Sequence, residues 1–217
     1  MGDLIGVSDQ IPTRHVPRSA SLILWLKHYR KPQTDALVSL DYAARAAINS
    51  QVKRRRMHME GFSVLPFTIG KLQCGVPLEN VVKVLPALLS TPLPGAPETV
   101  CGLVNLRGQV LPVIDLSGRF GFQPAQRSLW QPLIWLKTSQ RELLLTVESV
   151  AVVLACEPES FFPAPDPKVP SNLLCGVVRS ATGMLLIQDV EQLLSASDEQ
   201  RLAEAIAQTT EVGNEGV

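Results

Sequence analysis

The chain has 217 residues, 46% of them hydrophobic and 18% charged, enough apolar material for one large domain or two small ones. Twenty Lys and Arg balance twenty Asp and Glu, and only eleven residues are aromatic. That neutrality and that scarcity argue against nucleic acid as a partner, which calls for a basic face or a stacking surface, and no apolar run approaches the roughly 20 residues of a membrane span, so no direct membrane insertion is expected.

Residues 1–33, with prolines at 12, 17 and 32 and scattered charges, predict an extended arm. Leu22-Ile23-Leu24-Trp25-Leu26 interrupts it. Such a run can dock on a partner or fold back on the body, and the second is favoured because a permanently exposed apolar patch invites aggregation. The first 20 residues lack the charged-then-apolar order of a signal peptide, so a cytoplasmic protein is expected. Residues 34–52 predict a helix, with Ala36, Leu37, Leu40, Ala43, Ala44, Ala47 and Ile48 at helical spacing and Thr34 or Asp35 as cap. Lys53-Arg54-Arg55-Arg56 is expected to close it as a solvated helix end or linker, since cations suit a helix C-terminus.

From Gly61 the pattern changes to short strands and turns. Residues 62–69, 72–78 and 81–85 read as strands. Residues 86–97 carry four prolines, too many for a central strand, and predict a crossing on the surface. Two apolar runs, 100–104 and 110–116, then flank a polar turn through Asn105, Arg107 and Gly108, which predicts a β-hairpin. Ser117-Gly118-Arg119-Phe120-Gly121 predicts a turn or short helix.

The same order recurs. Residues 133–136 and 142–147 predict a strand pair that 150–156 continues, the five prolines between 158 and 170 a second crossing, and 173–178 with 184–187 a second hairpin. Asp189 is expected to cap a helix through Leu194, and Ser197-Asp198-Glu199-Gln200 to box the start of another, with Leu202, Ala203, Ile206 and Ala207 as its stripe. Cys101-Gly102-Leu103-Val104 is echoed by Cys175-Gly176-Val177-Val178, 74 positions on, and the run from Leu111 by the run from Leu185 at the same offset. The run from Val76 is echoed from Leu145, 69 positions on. These echoes predict an internal duplication of a small β unit. Only the first copy has the Asn-Leu-Arg-Gly turn, so the copies share a fold rather than a task.

Chemistry is sparse. No nucleophile elbow, phosphate loop or dinucleotide fingerprint is present, and the three histidines (His15, His28, His58) lie outside the duplicated region. The four cysteines lack metal-site spacing and sit in apolar runs, so they are expected as reduced core residues, with no metal and no cofactor. Asp115 and Asp189, one from each half, have the look of an aspartic-protease dyad. Leu116 and Val190 follow them where that chemistry needs Thr or Ser and then Gly, so both are expected as caps and no enzyme is expected.

Pro94-Gly95-Ala96-Pro97, Gly102-Leu103-Val104-Asn105-Leu106-Arg107-Gly108, Leu111-Pro112-Val113-Ile114-Asp115-Leu116, Phe120-Gly121, Gly176 and Leu193-Leu194 together resemble the signature of the CheW family, the coupling proteins of bacterial chemosensory arrays. The resemblance covers roughly 61–195. It implies a mainly β fold of two pseudo-repeated, five-stranded SH3-like barrels, subdomains about 61–121 and 132–190, around a shared core. An N-terminal extension, 1–60, and a C-terminal helix with a polar tail, 196–217, would flank them. It implies a non-catalytic adaptor at membrane-associated arrays, with the regulatory domain of a CheA-type histidine kinase and the tip of a methyl-accepting chemotaxis receptor as partners. It points to Asn105, Arg107 and Gly108 of the turn, and to Val81, Val82, Lys83 and Val84 near the groove or barrel edge, as partner-binding residues. Two positions depart from the family: Lys83 stands where an acidic residue is usual, and Pro77 where an aspartate is. The first would redirect partner choice, because like charges across an interface reject wrong partners.

Overall fold

Two β-sheets carry the body, and each is assembled from both halves of the duplication. The computed structural model describes residues 36–123, 131–164, 173–180 and 183–212; the arm of 1–33, the cap at Thr34 or Asp35 and the extreme C-terminal tail lie outside the described residues. The first half supplies β1 (Phe62–Ile69), β2 (Leu72–Pro77), β3 (Val81–Leu85), β4 (Val100–Leu106) and β5 (Gln109–Ile114). The second supplies β6 (Leu133–Lys137), β7 (Glu142–Thr146), β8 (Ser149–Val150), β9 (Leu154–Cys156), β10 (Phe161–Pro163), β11 (Leu174–Ser180) and β12 (Gly183–Gln188).

One sheet runs β10-β11-β12-β2-β1-β8, with β9 also on β1; the other runs β3-β6-β7-β5-β4. The opening strand pair of each half has therefore crossed into the other half's sheet. Parallel joints make the exchange: β12 lies beside β2 through Ile187 and Gly75, and β5 beside β7 through Val113 and Leu144. These two joints occupy equivalent positions of the repeat. The halves 61–121 and 132–190 thus make two SH3-like barrels by trading strand pairs, and neither half closes a barrel from its own strands alone.

The repeat is also legible in the packing. Val104, Leu111 and Val113 are buried with Leu133 and Leu144 in one cluster. Their counterparts 74 positions on, Val178, Leu185 and Ile187, are buried with Val64, Cys156, Phe161 and Cys175 in another. A third and larger cluster draws Phe67, Ile69 and Val76 from the first sheet, Ile114, Ile134 and Leu145 from the second, and Leu202 and Ile206 from the C-terminal helix. Each of these side chains contributes about 1.5–3 kcal/mol on burial, which is why the exchanged strands cannot drift apart.

The N-terminal helix α1 spans Ala36–Met59, seven residues beyond the expected end. The basic run does not stop it, because those cations have partners on the body. Lys53 donates to Asn80 and pairs with Glu79 at 3.2 Å, Arg54 pairs with Asp189, and Arg56 pairs with Glu60 and Glu79. The expected solvated helix end is in fact the docking segment of α1. Nor does the periodic apolar stripe face the body: Ala46, Ser50 and Met57 are buried, whereas Ala44, Ala47 and Ile48 are exposed. Met57 enters the cluster around Val64 and Phe161.

The second helix, α2 (Ala196–Val212), begins at a capping box displaced two residues from the expected one. Ser195 Oγ accepts from Asp198 N at 3.1 Å, and the Asp198 carboxylate accepts from Ser195 N at 3.3 Å. Ser195 wins over Ser197 because Leu202, Ala205 and Ile206 can then all face the core. Asp189 caps only a short 3-10 turn, Val190–Gln192, rather than a helix through Leu194. The run 150–156 is interrupted: residues 151–153 leave the sheet between β8 and β9.

Candidate partner-binding surfaces

Strands β4 and β5 pair from Val100 opposite Ile114 to Leu106 opposite Gln109, leaving Arg107 and Gly108 as a two-residue turn. Both turn residues have positive φ, 54° for Arg107 and 93° for Gly108, the geometry that matches the twist of the flanking strands. Asn105 holds the turn closed, its Oδ1 accepting from Gly108 N at 2.8 Å. The base of the hairpin is braced as well. The Glu142 carboxylate accepts from Gln109 Nε2 at 2.8 Å and from Trp135 Nε1 at 3.0 Å, tying β5 to β6 and β7. Arg107 itself is exposed and has no hydrogen bond or ion pair among the described residues. A planar guanidinium on a fixed backbone is thus presented with its donors unspent.

Val81, Val82, Lys83 and Val84 lie on β3, the opposite edge of the same sheet, with β6, β7 and β5 between. In the order of hydrogen-bonded strands they are not neighbours of the β4–β5 turn that carries Arg107. Val81 packs half-buried against the largest cluster, while Val82 and Val84 are exposed at 49% and 39% and Lys83 is exposed between them. A register shift between Val81 and Lys83 is what turns Val82 outward. The equivalent stretch of the other half is the interruption between β8 and β9, where Val152 is 89% exposed and Val153 43%. The apolar run 150–156 concealed that patch, because alternation cannot mark residues that leave the sheet.

The two aspartates serve the backbone. Asp115 Oδ1 accepts from Ser117 N at 2.8 Å and Asp189 Oδ1 from Glu191 N at 3.2 Å. All four cysteines are free; Cys74, Cys156 and Cys175 are buried. Burial pushes the Cys74 and Cys175 thiols up to about 12, so neither is a nucleophile at neutral pH. Among the described residues no group of three or more His, Cys, Asp or Glu side chains could hold a metal ion, and no helix is long and apolar enough to cross a membrane.

Residues 63–198 match the family described as the CheW-like domain. The chain belongs to the CheW-like family. It is 30% identical to "Chemotaxis protein CheW" of Klebsiella aerogenes over 151 residues, 69% of this chain and 90% of that protein. It is 54% identical to "Protein FrzA" of Myxococcus xanthus over 50 residues, 23% of this chain and 31% of that one. The solved structure of the scaffolding protein TtCheW from Thermoanaerobacter tengcongensis superposes with a TM-score of 0.58 at 25% identity, covering 63% of this chain and 94% of that one. The CheW-like match begins at residue 63 and leaves α1, which docks through Lys53, Arg54 and Met57, outside it.

Proposed function

We propose that this chain is a non-catalytic adaptor that couples the cytoplasmic tips of chemoreceptors to the regulatory domain of a CheA-type histidine kinase, in the cytoplasm at membrane-associated arrays. Its family supports a role in chemotaxis, and the observation that carries the reading is the braced turn that offers Arg107 unpaired. Asn105 and Gly108 would set the turn, Arg107 would grip the partner, and the β3 edge with Val82, Lys83 and Val84 would form a second contact, supported from behind by Val81. Contacts from two strands of one sheet suit a bridging protein, since weak individual affinities gain from repetition in an array.

The test is co-sedimentation of the purified chain with receptor-bearing membranes, with and without the kinase. The chain should bring kinase to the membranes, and Arg107→Glu should stop it. A folded chain that binds neither partner would sink the reading.

A second reading rests on α1 lying outside the family match: a regulator or localisation factor of CheW-like fold that recruits another protein through residues 1–60. It predicts that removing residues 1–33, with α1 left in place, spares co-sedimentation but abolishes a positional or regulatory effect in cells. Full function of that truncated chain would exclude residues 1–33 and leave α1 as the recruiting segment.

A further inference from the structure

The ladder between β1 and β2 stops short of the start of β1. Its last rung pairs Val64 with Pro77; Pro77 offers no N–H, and the chain then turns away into the 3-10 segment Leu78–Asn80. β1 nevertheless reaches back to Phe62, and Phe62 and Ser63 pair with β9 on their other side. The wedge left between these two residues and the 3-10 segment is roofed by one face of α1, made by Lys53, Arg56, Met57 and Glu60 at i, i+3, i+4 and i+7. The cleft so formed has a volume of about 350 Å³, at the small end of the range for ligand sites. Its floor is apolar: Met57 and Pro77 are buried, with Phe62 and Leu78 beside them. Over the floor run four charges, two of each sign. Lys53 pairs with Glu79 at 3.2 Å and Arg56 with Glu60 at 3.1 Å, while Arg56 Nη1 lies 3.8 Å from Glu79 on the facing wall. That last pair is too long for a hydrogen bond and more than half exposed on both sides, at 67% and 53%, so it contributes little. The half-buried Ser63 hydroxyl, also in the lining, has no hydrogen bond among the described residues.

We propose that this cleft binds a free α-amino acid with an apolar side chain. Charge sets the class. A lone anion drawn to Lys53 and Arg56 meets Glu60 and Glu79 as well, and a lone cation meets the reverse, whereas a zwitterion satisfies both signs at once. Inserted between Arg56 and Glu79, its carboxylate takes the guanidinium fork and its ammonium takes the Glu79 carboxylate. One loose pair is thereby exchanged for two charge-assisted contacts. The aliphatic side chain then lies on Met57, Phe62 and Leu78 and removes their apolar surface from water. The site draws on α1, which the CheW-like match leaves out, and it stands or falls independently of the adaptor reading.

The experiment is equilibrium dialysis of radiolabelled leucine against the purified full chain, with unlabelled competitors. The result expected is saturable binding in the millimolar range or tighter, the range open to so small a ligand. N-acetyl-leucine and leucine amide, each lacking one charge, should compete about tenfold more weakly than leucine, and glycine, lacking the side chain, should also compete more weakly. Arg56→Gln should weaken leucine binding about tenfold, whereas Arg201→Gln, at an exposed position of α2, should leave it unchanged. Matching thermal melts show that Arg56→Gln stays folded, and the competitor series needs no variant at all. The absence of saturable leucine binding overturns the proposal. So does equal competition by leucine and either of its singly charged derivatives, or leucine binding that a folded Arg56→Gln chain retains in full.

Discussion

Arg54 reaches out of α1 to place Nη2 3.4 Å from Oδ2 of Asp189, a side chain with no solvent exposure at all. Asp189 follows the second hairpin and caps the turn after it, so one ion pair joins α1 to the region that the CheW-like match covers. Removing one partner of such a pair strands the other charge, which costs about 3–5 kcal/mol. Arg54→Met is therefore expected to lower the unfolding free energy by roughly that amount, and Asp189→Asn by less, since an amide oxygen still caps Glu191 N. Denaturant unfolding of the two single variants and the double variant should show coupling of at least about 1 kcal/mol. Simple additivity would mean that the Arg54–Asp189 pair adds nothing to the docking of α1, leaving it to Met57 and to Lys53 with Glu79 and Asn80. A fragment cut at residue 60 should melt far below the full chain for the same reason.

Arg107 sits at φ 54°, a conformation that costs a non-glycine residue about 1–2 kcal/mol. Its retention there calls for a benefit that stability does not supply. Arg107→Gly should raise stability by about 1 kcal/mol while weakening partner binding, and Arg107→Glu should change stability by less than about 0.5 kcal/mol while abolishing that binding. Asn105→Ala should cost about 1 kcal/mol through loss of its bond to Gly108. Thermal melts paired with co-sedimentation separate the two effects; a large loss of stability in Arg107→Gly would assign Arg107 to the fold.

Strand positions were legible to the residue in β1 at Phe62–Ile69, and the hairpin around Arg107 and Gly108 was legible with a turn wider than the two residues the structure leaves unpaired. The exchange of strand pairs was not, because the periodicity of β2 says which face is buried but not whether β5 or β12 lies beside it. The orientation of α1 was not legible either, for a related reason. Its apolar spacing marks a helix but not the face that docks, which is set by Met57 and a line of ion pairs. Ion pairs across long sequence separations leave no periodic trace. At the candidate site, Arg107 was visible as the one long cation of a tight turn, whereas Glu142, which braces it from a strand more than thirty residues on, gave no local signal.

Burial raises the pKa of Glu199 above its ordinary 4.5, although Arg141, 2.6 Å away, pulls it down. A carboxyl raised in the folded state binds protons better folded than unfolded. Its contribution to stability is thus fullest below the unfolded value and is lost as pH rises through the folded one. The stability of the unaltered chain relative to Glu199→Gln should be greatest near pH 4 and decline toward neutrality. Parallel pH profiles for the two chains would show that Arg141 fully offsets the burial.

The repeated Cys-Gly pair has a steric cause that yields the last prediction. At Gly102, with φ 142°, an added Cβ would lie 2.4 Å from the carbonyl oxygen of Thr91, where the crossing of the first half bridges Leu103. At Gly176 the same atom would lie 2.4 Å from the oxygen of Phe162 and 2.6 Å from the Phe161 ring, where β10 pairs with β11. In each copy the crossing strand rests on a bare backbone, and neither backbone contact can yield cheaply. Gly102→Ala and Gly176→Ala should each cost about 1–3 kcal/mol or more, with Gly102→Ala the worse because its backbone conformation is also strained for alanine. Gly118→Ala, with nothing within 4 Å of the new methyl, should be neutral or slightly stabilising through the unfolded chain. Urea midpoints of the three variants measure this directly. Equal, small shifts in all three would mean that the crossings move aside, and that the repeated glycines owe their place to something other than the close passage of these strands.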